Sequence, residues 1–169
     1  ILINNAGIIQ PFVSYNEMDE DTITRVMNIN FFGPINLVKR FLPNLLKRPE
    51  AHIVNVSSMA GFFPFPKQTI YAASKAALKI FTEGLYAELS DTNVHVTAVM
   101  PGAINTNIAK NSNVEIKSKV ESSKSAKSMS MEADLAATEI LNAIEKNAFQ
   151  VFVGKDSKFM NFLYKMNPK

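Results

Sequence analysis

Apolar residues are arranged in two patterns along this chain: short continuous runs, and longer stretches with a helical period. Continuous runs that end at turn residues are typical of strands buried on both faces of a sheet. Four runs fit that description, ILIN, HIVNVSS, VHVTAVMPG and FQVFVG. The longer stretches predict helices from Asp19 to about Lys47, from Ile70 to about Leu89, from Met131 to Asn147 and from Lys155 to Met166. Strands that alternate with helices predict an α/β fold with a parallel sheet.

Breaking and polar residues interrupt this pattern. Gly33 and Pro34 fall inside the first long helix, so we expect a kink or a break there. Ser130 directly precedes the helix that starts at Met131, and its hydroxyl is suited to cap it. Between the third strand and that helix, residues 103–130 are polar and irregular, which predicts a long loop.

Composition and charge exclude several kinds of protein. The chain has 169 residues, 47% hydrophobic and 20% charged, which fits one globular domain over 1–169. Cysteine is absent, which excludes disulfides and thiolate metal sites, and two histidines give little basis for any metal centre. A net charge of +3 is too small to indicate nucleic-acid binding. No apolar run approaches the ~20 residues of a membrane span, and no signal peptide is visible, so we expect a cytoplasmic protein.

Small and polar residues cluster where the predicted strands end. In open α/β sheets, ligands bind outside the carboxyl ends of the strands. Those ends carry NNAG, NVSSMAG and MPGAINT, in which a backbone can approach a ligand closely. Any one of these stretches taken alone is more readily explained as an ordinary turn.

Tyr71 and Lys75 are the residues most suggestive of chemistry. At a spacing of four they lie on one helical face, one turn apart. A free phenol, with a pKa of about 10, is a poor base at neutral pH, and a nearby positive charge lowers that value. The pair therefore supplies the components of general acid–base catalysis. Such a spacing also arises by chance in many helices, so the pair alone is weak.

Two further residues strengthen this interpretation. Ser58 ends a strand shortly before Tyr71, where its hydroxyl can bond a substrate oxygen, and the Asn30 side chain can satisfy backbone or water near the same strand ends. NNAG at 4–7, Asn30, Ser58, YAASK at 71–75 and PGAINT at 101–106 occur in an order and spacing that resembles the short-chain dehydrogenase/reductase family. These motifs cover most of the chain. The resemblance implies a Rossmann-type doubly wound parallel sheet, of which this sequence carries the C-terminal portion only.

The resemblance also implies roles for individual residues. Tyr71 looks like the acid/base that exchanges a proton with the substrate oxygen, and Lys75 like the residue that lowers its pKa and holds the nicotinamide ribose. Ser58 looks like the donor that polarises the carbonyl. Asn30 looks like the residue that holds a water and links Lys75 to a proton relay. Ser57, the first serine of its pair, is interpreted as structural.

The cofactor implied by the resemblance is NAD or NADP, and the substrate a small carbonyl or alcohol. The cofactor would carry out hydride transfer while the protein supplies orientation and electrostatics. The residues expected to bind it, besides Tyr71 and Lys75, are Asn5, Ala6 and Gly7 on the adenosine side and Pro101, Gly102, Ile104 and Thr106 around the nicotinamide.

One part of the family's pattern is missing from this sequence. The glycine-rich turn that binds the pyrophosphate does not occur, nor does the strand end that chooses between NAD and NADP. We interpret the chain as a fragment of a longer protein that lacks two βα units, on the order of 80 residues. We therefore expect 1–169 alone to bind dinucleotides weakly and to show no measurable turnover.

Other features leave alternatives open. Residues 103–130 are expected to form a mobile substrate lid in the intact enzyme, and a homo-oligomer is expected from the family. The aromatic residues after Ser58 are equally compatible with a substrate pocket and with a cover for the core. The last helix has an apolar face that can dock on the domain, a partner subunit or a membrane surface. A non-catalytic protein with the same fold, used for binding or regulation, is the alternative to an oxidoreductase.

Overall fold

Strands and helices alternate along residues 1–114 and 130–166, which are the residues that the computed structural model describes. The strands are β1 (Leu2–Asn4), β2 (Ala51–Val56), β3 (Val94–Pro101), β4 (Ile104–Asn105), β5 (Met131–Glu132) and β6 (Gln150–Val153). The helices are α1 (Glu20–Met27), α2 (Gly33–Leu45), α3 (Thr69–Glu88), α4 (Ile108–Asn111), α5 (Ala133–Glu145) and α6 (Lys155–Met166). Short 3₁₀ turns cover Tyr15–Glu17 and Met59–Gly61.

The main sheet has the order β1-β2-β3-β6, and all of its strand pairs are parallel. Ile53 of β2 lies opposite Leu2 on one side and Val96 on the other. β4 and β5 form a separate parallel pair. The parallel α/β fold predicted from the apolar runs is confirmed. Every residue of β2 is buried, as expected for a strand covered on both faces.

Helices cover both faces of this sheet. On one face α2 and α3 pack on β2 and β3 around a core of Val38, Ala51, Ile53, Leu85, Leu89, Val94 and Val96. On the opposite face α5 packs on β2, β3 and β6 around Val54, Val56, Val99, Ala136, Ile144 and Val153. This is the doubly wound arrangement. Among the described residues no helix is long and apolar enough to cross a membrane.

The break predicted at Gly33 and Pro34 takes the form of a π-helical turn, so the helix is not interrupted. Asn28–Phe32 is a π-helical segment between α1 and α2, in which the Gly33 N–H donates to the Asn28 carbonyl. Proline has no N–H, so the ordinary helical bond from Pro34 to the Asn30 carbonyl cannot form. One turn of the helix takes up an extra residue and becomes π-helical, and the helix continues.

The predicted start of the helix at 131 is wrong. Met131 and Glu132 pair with β4, so α5 begins at Ala133 and its N-cap position is Glu132, not Ser130. The loop predicted for 103–130 is also shorter than expected, because β4 and α4 occupy part of it. The remainder of the expected lid, 115–129, lies outside the described residues. The expectation of one domain over 1–169 stays a prediction.

The two histidines lie side by side near the amino ends of β2 and β3, with ring centroids 5.8 Å apart. His52 is buried, and its Nε2 is 2.7 Å from Thr97 Oγ1. Because Thr97 Oγ1 donates to the Ala148 carbonyl, its oxygen is left to accept from the imidazole. Burial, followed by the neighbouring charge of His95, lowers the pKa of His52 to about 4. His52 is therefore neutral in the folded protein at neutral pH.

We expect the free energy of unfolding to fall as the pH drops from 6.5, the usual pKa of histidine, to about 4. In that window the unfolded chain takes up a proton on His52 that the folded chain does not bind, so acidification favours unfolding. In His52→Gln the amide keeps a donor for Thr97 but cannot titrate. Urea unfolding measured across this pH range should show that acidification lowers the free energy of unfolding of the variant by about 1–3 kcal/mol less than that of the wild type. Identical pH profiles for the two proteins would contradict this assignment.

Candidate active site

The predicted site residues meet at the carboxyl edge of the main sheet. All three loops that follow β1, β2 and β3 open at this edge, because the strands are parallel. Ser58 is the N-cap residue of the turn Met59–Gly61, and its Oγ accepts from the Ala60 N–H at 3.1 Å. Tyr71 and Lys75 lie one turn apart near the start of α3.

A cleft of about 470 Å³ opens at this edge. All predicted site residues line it except Ala6 and Asn30. Ala6 is exposed in the loop after β1, and Asn30 is fully buried. The predicted residues that share the cleft are Asn5, Gly7, Ser58, Tyr71, Lys75, Pro101, Gly102, Ile104 and Thr106. Sequence reasoning did not single out Ile9, Ala103, Ile108 or the α5 residues Ala133, Ala136, Ala137 and Ile140, which complete its apolar wall.

Tyr71 and Ser58 interact directly. Burial raises the pKa of the Tyr71 phenol above its ordinary value, and a side-chain hydrogen bond with Ser58 partly opposes that shift. Burial raises the pKa because it disfavours the charged phenolate relative to the neutral phenol. The lowering of this pKa that was expected from Lys75 stays a prediction.

Lys75 is 3% exposed, and its Nζ donates to the Val56 carbonyl at 2.8 Å. Burial lowers the pKa of Lys75 to about 8. An ammonium has three donors, and the bond to Val56 uses one of them. Gly7 lies against the same amine, since a Cβ built on Gly7 would come within 3.1 Å of Nζ. A larger residue in place of Gly7 would therefore crowd the Lys75 amine, and both residues line the cleft.

The side chain of Asn30 holds the loop after β1. Its Oδ1 accepts from the Ile8 N–H and its Nδ2 donates to the Ile8 carbonyl, both at 2.9 Å. The same Nδ2 donates to Ser74 Oγ at 3.0 Å, and Ser74 Oγ donates in turn to the Tyr71 carbonyl at 2.7 Å. Of the two roles left open for this amide, the backbone one is present. The other role, in which the amide holds a water and links Lys75 to a proton relay, stays a prediction.

Ser57, interpreted as structural, donates to the Lys75 carbonyl at 2.7 Å. That bond ties the end of β2 to α3. Gly61 is required by the same contact, because a Cβ there would lie 2.9 Å from Ser57 Oγ and 3.0 Å from the Lys75 carbonyl oxygen.

Two side chains of α6 bind the backbone at the end of β3 and in the loop after it. Asp156, in the first turn of that helix, accepts from the Ala103 N–H at 2.6 Å. A Cβ on Gly102 would lie 2.1 Å from the Asp156 carboxylate, so glycine is needed for the close approach. Ser157 donates to the Met100 carbonyl at 2.7 Å. These contacts fix the backbone that forms one wall of the cleft.

Gln10 and Asp156 support the site but were not predicted from the sequence. Gln10 is completely buried and bonds to the backbone at the start of α3. No local signal marks it, because its partners are distant in the sequence. The first-turn position of Asp156 was visible in the sequence, although nothing there showed what it contacts.

The aromatic residues after Ser58 lie apart from this cleft. Phe62 and Phe65 line a separate, more open groove together with Tyr164 of α6. Phe62 also packs edge-on against Phe152 of β6. Among the described residues, no group of three His, Cys, Asp or Glu side chains is arranged to hold a metal ion.

Comparisons with known proteins identify the family. Residues 1–117 match the family model described as short chain dehydrogenase. Dehydrogenase/reductase SDR family member 7B of Rattus norvegicus is 44% identical over 115 residues, which cover 66% of this chain and 34% of that protein. The chain belongs to the short-chain dehydrogenase/reductase family, and it matches about a third of the length of that relative.

Two solved structures extend the likeness to the fold. A short chain dehydrogenase from Burkholderia cenocepacia in complex with NADP has a TM-score of 0.81 and 28% identity, covering 99% of this chain and 66% of that one. A short chain dehydrogenase/reductase from Burkholderia phymatum in complex with NAD has a TM-score of 0.76 and 26% identity, covering 89% of this chain and 59% of that one. The Rossmann-type fold predicted from the sequence motifs is confirmed.

We expect Gly61→Ala to destabilise the protein by about 1–3 kcal/mol, as is typical of overpacking at a tight contact. The added methyl group would separate Ser57 from the Lys75 carbonyl. Gly84→Ala is the matched control, because Gly84 is exposed in α3 with no atom within 4 Å of its Cβ position. That control should gain about 0.5–1 kcal/mol from helix propensity. Urea unfolding measures both, and equal effects would show that the contact at Gly61 is unimportant.

Proposed function

We propose that this protein interconverts a carbonyl and an alcohol by hydride transfer with NAD or NADP. The observation that carries the proposal is the convergence of Ser58, Tyr71 and Lys75 in one cleft, at the carboxyl edge of a parallel sheet. Membership of the family and the dinucleotides bound by two structural neighbours support it. Because the chain covers only part of its relatives, the activity is assigned to the full-length protein.

The described residues fit a nicotinamide dinucleotide. Lys75 has donor capacity beyond its bond to Val56, which suits it to hold ribose hydroxyls. Asn5 and Gly7 offer a close backbone approach on one side of the cleft, and Pro101, Gly102, Ile104 and Thr106 border the other side. The cofactor, when bound, supplies the hydride.

Tyr71 and Ser58 would manage the substrate oxygen. The Tyr71 hydroxyl remains protonated at neutral pH, because burial raises its pKa. A protonated phenol can donate to a carbonyl oxygen and deliver its proton as that oxygen gains negative charge. With substrate bound, the Ser58 hydroxyl would exchange its hydrogen bond with Tyr71 for one donated to the same substrate oxygen, which would hold that oxygen in place. In the direction of alcohol oxidation the phenol must first lose its proton, which Lys75 as an ammonium would favour.

The cleft indicates only a broad class of substrate. Its wall beyond the polar residues is apolar, formed by Ile9, Ile108 and Ile140 among others. This lining suits a substrate with a hydrophobic body and one reactive oxygen. The lid, a homo-oligomer, a cytoplasmic location and the inactivity of 1–169 alone all stay predictions. A non-catalytic relative with the same fold is the outcome if no turnover is found.

We expect Tyr71→Phe to abolish turnover of the full-length protein, a loss of at least about 100-fold, because the transferable proton is removed. The phenyl ring fills the same volume, so stability and dinucleotide binding should be retained. Tyr86→Phe is the control. Tyr86 also belongs to α3, but its ring packs on Phe149, with ring centroids 4.2 Å apart, and it does not line the cleft. Nicotinamide absorbance with a panel of ketones and aldehydes measures the rates. Near-normal rates in Tyr71→Phe would refute the role of the phenol.

Affinity for NAD or NADP is expected to fall as the pH rises through about 8, the pKa of Lys75. Above that pH the amine is neutral, and a neutral donor binds hydroxyl oxygens more weakly than an ammonium. Lys75→Met should bind about 10-fold more weakly and without this pH dependence. It should also need a higher pH for alcohol oxidation.

Calorimetric titration of the full-length protein measures this affinity. Lys79→Met, which removes an ammonium paired with Glu83 one turn further along α3, should leave it unchanged. Equal affinities and equal pH profiles in wild type and Lys75→Met would show that the amine does not hold the dinucleotide.

A further inference from the structure

We propose that Gln10 is a positioning residue for Tyr71, and that it acts by capping the start of α3 from outside the helix. The proposal rests on the proposed function, because it concerns the residue assigned as acid/base. It arises from four hydrogen bonds that join the loop after β1 to the residues around Tyr71.

The first N–H groups of a helix have no partner within the helix and need another acceptor. In α3 the residue at the N-cap position is Gln68, and its side chain makes no capping bond. The side-chain oxygen of Gln10 accepts instead, from the Ile70 N–H at 2.8 Å and from the Tyr71 N–H at 2.9 Å. One distant amide therefore caps the helix at the peptide group of Tyr71 itself.

The other polar groups of Gln10 are also engaged. Its Nε2 donates to the Lys67 carbonyl at 3.0 Å, and its own carbonyl accepts from Gln68 Nε2 at 3.0 Å. Lys67 has a φ of 64°, a left-handed conformation that is uncommon for a residue with a side chain. Gln10 is 0% exposed, its bond from Gln68 is buried, and the three bonds of its own side chain are partly buried. The contacts fix the segment that enters α3 as well as the helix start.

Tyr71 is held through both of its backbone groups. Its N–H donates to Gln10, and its carbonyl accepts from Ser74, whose hydroxyl accepts from Asn30. Asn30 also binds both backbone groups of Ile8, two residues before Gln10. Asn30 therefore holds the short segment of residues 8–10, and Gln10 of that segment holds Tyr71. Removing Gln10 would free the N–H side of Tyr71 while leaving the bonds of Asn30 in place.

A purely structural role would predict lost stability without a selective loss of turnover. A positioning role predicts that kcat falls while KM changes little, because the phenol must lie within hydrogen-bond reach of the substrate oxygen only in the reacting complex. The helix-forming tendency of the α3 residues cannot replace this cap, because the Ile70 and Tyr71 N–H groups need an acceptor from outside the helix.

The experiment compares three variants of the full-length protein. Gln10→Met keeps the length of the side chain and loses every side-chain hydrogen bond. Gln10→Glu keeps an oxygen for the two N–H groups but loses the Nε2 donor to the Lys67 carbonyl. Thr82→Val is the stability control, because Thr82 is a buried polar residue of α3, three turns from Tyr71, that bonds to Asn55 and to the Leu78 carbonyl.

Two readouts are taken from each variant: kcat and KM, and hydrogen exchange at the Ile70 and Tyr71 amides. In Gln10→Met we expect kcat to fall about 10- to 100-fold, with KM within about 3-fold. The two amides should exchange at least about 10-fold faster. Gln10→Glu, which keeps the acceptor alone, should restore part of both properties. Thr82→Val should lower stability and change neither. If Gln10→Met does not fold, Gln10→Asn, whose amide is one methylene too short, replaces it with the same expected direction.

The inference is overturned if Gln10→Met keeps kcat within about 2-fold, or if Thr82→Val loses as much kcat as Gln10→Met does. Failure of the proposed function gives a different result, in which the wild type does not turn over or Tyr71→Phe remains active. In that case the exchange measurement decides the role of Gln10. Faster exchange at Ile70 and Tyr71 in Gln10→Met supports the cap, and unchanged exchange refutes it.

Discussion

The attachment of the loop after β1 to the start of α3 is the interaction on which the candidate site depends. Asn30 binds both backbone groups of Ile8, and Gln10 binds the first N–H groups of α3. Buried backbone groups must find partners, so these two amides specify where the loop and the helix lie relative to each other. Asn30 lies in the π-helical turn, from which its side chain reaches Ile8. Because Asn30 and Gln10 hold the loop after β1, they also set the position of Gly7 relative to Tyr71 and Lys75 on α3.

The second constraint is the burial of Lys75. A buried amine needs polar contacts, and at the end of β2 it finds the Val56 carbonyl. Burial shifts the pKa of Lys75 down and that of Tyr71 up, so both groups favour their neutral forms more than free side chains do. The site is therefore arranged for a protonated phenol, and a base form of Tyr71 requires further stabilisation of negative charge.

Several features could be predicted from the sequence because they depend on neighbouring residues. Continuous apolar runs specify buried strands, and those runs matched all four strands of the main sheet. A spacing of four places Tyr71 and Lys75 on one face of any helix, whatever surrounds it. The parallel order then brings Ser58 and the loops after β1 and β3 to the same edge. The family motifs consist of these local elements, so the resemblance was visible as well.

The tertiary structure decided what depends on residues far apart in the chain. Ser130 has the right chemistry for a cap, yet pairing of β5 with β4 moves the helix start to Ala133. Gln10 has no capping signature, yet packing brings it against the start of α3, 60 positions away from Ile70. The partial burial of Tyr71, which raises the pKa of its phenol, also depends on packing and could not be predicted from the sequence. Local spacing determines which face a side chain occupies, whereas its partners and its exposure to water are set only when distant segments pack together.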